Sequence, residues 1–186
     1  MKFLIFIVGI LIFIGIIGLI RSLTGNKHVK NQTVKQGDDD TTQFPFIDVT
    51  LEEIRHAVRK FSDQLPKGVY RTILVRDDHS IDHKHIAPIL GGTPSRNVYM
   101  SKETYDLFEE SEKHIPPVMD LVQKAVDQYV KEHKEYPMLK FDSERRVNYY
   151  QLLEHHYLKE IPDIQFYITK LDGLITHVKP ESGSSS

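Results

Sequence analysis

Cysteine is missing from this 186-residue chain, which excludes disulfides and thiolate metal sites and fits either redox compartment. Acidic residues are missing from the first 36 positions, which hold five basic ones: Lys2, Arg21, Lys27, Lys30 and Lys35. Taking those five from the chain's 24 leaves 19 basic against 26 acidic over the remainder, a net of −7. Nucleic-acid binding wants a basic face, so an acidic domain argues against it. Signatures of chemistry are missing as well. There is no H-E-x-x-H, no G-x-S-x-G elbow, no Walker lysine and no nucleotide fingerprint, so no cofactor is implied. Internal repeats are absent.

What the chain does have is a run from Phe3 to Ile20 without one polar side chain. Fifteen of its eighteen residues are Ile, Leu, Phe or Val, and Gly9, Gly15 and Gly18 are the rest. As a helix it is about 27 Å long, just short of a hydrocarbon core of about 30 Å. Its insertion is favoured by about 5–9 kcal/mol as an upper figure. A cleaved signal has a shorter apolar region and small residues in an A-x-A-like pattern, which Ser22-Leu23-Thr24-Gly25 imitates poorly. Residues 1–21 therefore read as a transmembrane anchor, with residues 3–20 in the lipid bilayer of the cell membrane. More Lys and Arg follow the span than precede it, which puts the C-terminal domain on the cytoplasmic side.

Residues 22–43 lack apolar periodicity and read as a disordered polar linker with a relaxed span of roughly 25 Å. Its basic strip suits a stop-transfer flank. The domain proper runs over 44–180, a length that suits one core, and 181–186 are a flexible tail. Thr50 and Glu53 predict a capping box, with Val49 stapled onto Ile54. Leu51, Ile54, Val58, Phe61 and Leu65 form one apolar helical face, stopped by Pro66 and Gly68. Val69–Val75 reads as a central strand and residues 81–86 as its return. Val98–Met100 is a short strand, and Ser101 caps a helix to Glu112. Val118 to Val130 carries the clearest helical stripe in the chain, with Pro117 in its first turn. Met138–Phe141 is a strand, and Asp142 or Ser143 caps a helix to Lys159. Asp172-Gly173 joins a closing hairpin. The fold expected is α+β: a partly antiparallel sheet of four or five strands, three or four helices packed on it, and one transmembrane helix before it.

Ten histidines are many for this length. His79, His83 and His85 lie within seven residues, beside Asp77, Asp78 and Asp82. On a strand, His83 and His85 share a face. With His79 or Asp82 from the turn they resemble a Zn²⁺ or Ni²⁺ site, although no established spacing is matched and polar turns collect Asp and His anyway. His155-His156 is a second cluster, with Glu160 four residues after His156. His133 falls at the end of its helix, where the dipole favours a cationic ring. Gly91-Gly92-Thr93-Pro94-Ser95-Arg96 offers amides and a guanidinium to an anion, yet it lacks the Walker lysine and reads as a plain turn. Tyr149, Tyr150 and Tyr157 read as packing residues.

The Met1-Lys2 start, the Ile-rich span, the Lys/Asn/Gln tether and the closing stretch Phe166–Thr176 are similar to small single-pass membrane proteins of Bacillus-type Gram-positive bacteria that have no assigned activity. The resemblance lies in organisation and implies bacterial membrane localisation, with no catalytic residues to carry over. The function expected is a membrane-tethered, non-enzymatic interaction or regulatory domain with an unidentified protein partner. The alternative is a metal- or anion-dependent enzyme using the His79/His83/His85 cluster. An enzyme should show a concave pocket with converging titratable groups, and that geometry separates the two.

Overall fold

Thr50 opens the first helix as expected. Its hydroxyl accepts from the Glu53 amide at 3.2 Å, and its own amide donates to the Glu53 carboxylate at 2.7 Å. The structure is a computed structural model, and it describes residues 44–170 and 173–180. The expected anchor (1–21), linker (22–43) and tail (181–186) lie outside the described residues, which belong to one compact unit, Gln43–Ser186. Among the described residues no helix is long and apolar enough to cross a membrane.

The elements in order are β1 (Phe46–Ile47), α1 (Leu51–Asp63), α2 (Ala87–Leu90), β2 (Thr93–Pro94), β3 (Val98–Met100), β4 (Leu107–Glu109), α3 (Ile115–His133), α4 (Tyr149–Glu154), β5 (Tyr167–Ile168) and β6 (Ile175–Thr176). Three 3₁₀ turns join them, at Arg71–Leu74, His83–His85 and Glu110–Glu112. The α+β class holds. The single sheet of four or five strands does not, because the strands are two or three residues long and form three separate pairs. β1 pairs with β2 in parallel, while β3–β4 and β5–β6 are antiparallel.

Each departure has an identifiable cause. Val69–Val75 is no strand, since its partner segment turns away. The Asp82 carboxylate accepts from the Lys84 amide at 3.2 Å and starts a 3₁₀ turn instead of a ladder. The only bridge left there joins Val75 to Ile81, and Val69, Tyr70 and Ile73 stay exposed. Ser101–Glu112 is not a helix either. Residues 101–104 form a turn, and Leu107–Glu109 pairs back onto β3 with Val98 opposite Glu109. Met138–Phe141 is turn rather than strand. The late helix shrinks to α4 because Arg145 is left-handed (φ 57°) before it and His156 (φ 60°) after it.

The hairpin β3–β4 divides the core. Val98, Met100 and Leu107 face a cluster with Ile54, Val58, Leu74 and Ile86, while Tyr99 and Phe108 face one with Met119, Val122 and Val126 of α3. Alternation with period two lets one hairpin serve both sides. Each fully buried apolar side chain contributes about 1.5–3 kcal/mol. Val49 joins the same cluster as Ile54, where the staple expected it. α3 is fastened to the closing hairpin by a buried bond, from the Ile175 amide to Gln123 Oε1 at 2.8 Å. Gly173 turns that hairpin at φ 76°, and a Cβ there would sit 2.5 Å from the Tyr136 hydroxyl.

Candidate functional site

The histidines expected to cluster are dispersed. His79 has a left-handed backbone (φ 66°), and its ring turns inward, with Nδ1 3.3 Å from the Met100 carbonyl and 3.6 Å from Asp120 Oδ2. Asp82 is spent on capping Lys84 and pairing with Arg76 at 3.1 Å. Burial alone raises the Asp82 carboxyl, but the Lys84 amide and the Arg76 guanidinium outweigh it and hold it below the usual range. His83 and His85 occupy a 3₁₀ turn, where residues two apart point in different directions. His83 is half-buried with Nε2 unpartnered, and burial, then repulsion from Arg76, lowers its pKa. His85 is exposed and packs on the Phe61 ring at 5.5 Å. Among the described residues no group of three or more His, Asp or Glu is placed to hold a metal ion.

The other expected pairs fare similarly. His156 and Glu160 are not on one helix, since α4 ends at Glu154. The His155 ring lies 4.3 Å from the His133 ring, beside Tyr129 and Tyr157. Arg96 reaches Asp48 and Glu109, each at 3.4 Å, so its guanidinium is already engaged by two carboxylates.

His79 leads instead to a buried polar network invisible in the motifs. Asp120, on the first turns of α3, is 6% exposed. Its carboxylate accepts from the Ser101 hydroxyl at 2.5 Å and from the Lys102 and Glu103 amides at 3.0 and 3.2 Å. Ser101 Oγ in turn accepts from the Thr104 amide at 2.9 Å. Ser, His and Asp meet here, yet not in the order that nucleophilic catalysis needs. The serine proton goes to the carboxylate rather than to imidazole, and Ser101 is fully buried. The network fastens the β3–β4 connection to α3.

A concave surface lies elsewhere, between residues 139–150 and 161–165. It is a cleft of about 520 Å³ that adjoins a second of about 540 Å³, with Leu139, Asp142 and Arg146 common to both. Asp142 shapes it. Its carboxylate accepts from the Glu144 and Arg146 amides, both at 3.1 Å, and from Arg146 Nε at 2.9 Å. The Arg146 guanidinium chiefly holds the Asp142 carboxyl below its usual range. The floor includes Tyr149, whose hydroxyl donates to the Ile164 carbonyl at 2.6 Å and accepts from the Phe166 amide at 3.0 Å. Burial pushes that phenol up to about 12, so it is no acid or base near neutrality. Around the rim, large apolar side chains face solvent: Phe141 is 99% exposed, Tyr150 74%, Leu139 62% and Ile161 44%.

Residues 44–177 match a family described as a protein of unknown function, DUF3939. The chain belongs to this family. No curated protein and no solved structure matches it. The DUF3939 match takes in both core clusters, the Asp120 network and the cleft. Neither of the last two is legible as a motif in the sequence. Both Tyr149 and Tyr150 are expected to pack, and only Tyr149 does. The signal for the rim is the Leu139-Lys140-Phe141 triplet between turn residues, whose apolar ends suggest a strand.

Proposed function

We propose that this DUF3939 chain is a membrane-tethered, non-enzymatic interaction domain, held at the cell membrane by one transmembrane helix over residues 1–21 with its domain on the cytoplasmic side. Its working surface is the cleft between residues 139–150 and 161–165. One observation carries the reading: Leu139, Phe141, Tyr150 and Ile161 leave large apolar side chains in solvent around two adjoining clefts. Apolar groups gathered in this way mark contact surfaces. Of the titratable groups that line the clefts, Asp142, Glu144 and Arg146 are held in one ion-paired group, the Tyr149 hydroxyl is bonded to backbone, and Lys140 and Tyr150 face solvent, so none is paired for proton transfer.

The test is site-specific photo-crosslinking in the full chain in its native membranes. A benzophenone side chain at position 150 should give a discrete protein adduct that Leu139→Ser with Ile161→Ser abolishes. The same probe at Tyr70, exposed but remote in sequence, should give none. Equal labelling from both positions, or none from 150, would end the reading.

A further inference from the structure

We propose that the turn Leu139-Lys140-Phe141 is a membrane-contact loop that lays its apolar side chains among the headgroups and upper acyl chains of an anionic phospholipid surface. The inference rests on the tethered reading above and names what the rim of the cleft touches.

Shape favours a fluid apolar medium over a folded partner at the tip. Phe141 borders the second cleft yet is 99% exposed, so the walls of that cleft cover almost none of it. Leu139 beside it and Tyr150 across the cleft point out as well. An aromatic and aliphatic edge of this kind suits the interface between water and lipid. The turn is also built to hold the side chains out. The Asp142 amide donates to the Leu139 carbonyl at 3.1 Å, the Arg145 amide donates to the Asp142 carbonyl at 3.1 Å, and the Asp142 carboxylate takes the amides that follow. A preformed turn loses little conformational freedom when it docks.

Charge selects the lipid. Residues 139–146 carry Lys140, Arg145 and Arg146 against Asp142 and Glu144, and Lys179 joins them through Glu144 at 2.7 Å. This is a locally basic surface on a domain that is acidic as a whole. Arg146 is held by Asp142 and Glu144, and Arg145 donates to the Ile168 and Thr169 carbonyls. Lys140 is exposed and has no ion pair among the described residues, and it sits between the two side chains that would enter the lipid. Anionic headgroups attract such a cation.

The chain has no tryptophan, so one introduced residue reports alone. The full chain carrying Phe141→Trp is reconstituted in vesicles of phosphatidylcholine with phosphatidylglycerol, and acyl-brominated lipid is the quencher. The expected result is a blue-shifted emission that brominated lipid quenches and aqueous iodide does not, while Tyr70→Trp behaves in the opposite way. Adding Lys140→Glu, or omitting phosphatidylglycerol, should reduce the quenching. An emission that iodide quenches and brominated lipid leaves alone would overturn the proposal. So would a blue shift that grows with protein density but ignores brominated lipid, which would mean contact between copies. If the indole at position 141 stays in water while the crosslink from position 150 persists, the lipid assignment fails and the interaction reading stands. If both are lost, both fail.

Discussion

Replacing Asp120 by Ala should cost this domain more than any other single polar substitution among the described residues. The carboxylate receives one hydroxyl and two amide bonds, and hydrogen bonds to charged groups are worth about 1.5–3 kcal/mol each. The full sum is not lost, because Lys102 and Glu103 are only half-buried and their amides can reach water. Ser101 cannot, being fully buried. Removal of the charge also recovers the cost of burying it beside a histidine at 3.6 Å. The net expectation is about 3–4 kcal/mol, a large share of a total that is about 5–15 kcal/mol for most domains. Urea unfolding of residues 43–186 would measure it, beside Ser101→Ala and the double variant. The two singles should be non-additive by about 1–3 kcal/mol, since the double leaves fewer stranded groups. A loss under about 1 kcal/mol, within the range of surface changes, or strict additivity, would refute the claim that this network holds the β3–β4 connection to α3.

Gly173→Ala meets two obstacles, a left-handed φ of 76° and the Tyr136 hydroxyl 2.5 Å from the new Cβ, so it should destabilise by about 1–3 kcal/mol. Tyr136→Ala in the same chain should relieve part of that loss, and a midpoint unmoved by Gly173→Ala would contradict the placement. His83 predicts a pH effect. Its folded pKa lies below the unfolded value of about 6.5, so the unfolded chain binds the proton first and stability falls as pH drops below that value. Denaturation midpoints at pH 7.5 and 5.5 should separate in the wild type and draw together in His83→Gln. A separation unchanged by His83→Gln would assign it to another group.

Where sequence and structure agree, the deciding contacts are close in the chain. Thr50 and Glu53 are three residues apart, and the α3 stripe repeats within one helix. The Asp-Gly signal places the closing hairpin correctly, with β5 and β6 on either side of Gly173. Disagreement begins where the deciding contact is remote, or where one side chain bonds a nearby amide before a ladder can form. Ser101 reads as the cap of a helix to Glu112, and Asp120, many residues later, takes its hydroxyl and the next two amides and selects a turn. Residues 69–86 carry strand-forming side chains, but Asp82 satisfies a local amide first and leaves the pair one bridge long. The histidine cluster depends on that strand and disperses with it. The cleft is illegible for the same reason, because its two walls come from separate segments. Leu139 and Phe141 read as apolar residues awaiting burial, and Asp142 instead draws the backbone into consecutive turns.

Hydrogen–deuterium exchange of the full chain in lipid nanodiscs against residues 43–186 in solution tests directly whether the cleft face meets the membrane. Amides 139–150 should exchange more slowly in the nanodiscs, while residues 76–86 exchange alike in both samples. Identical exchange over 139–150 would contradict membrane contact by this face, and protection confined to 76–86 would assign the contact to the histidine-bearing turn instead.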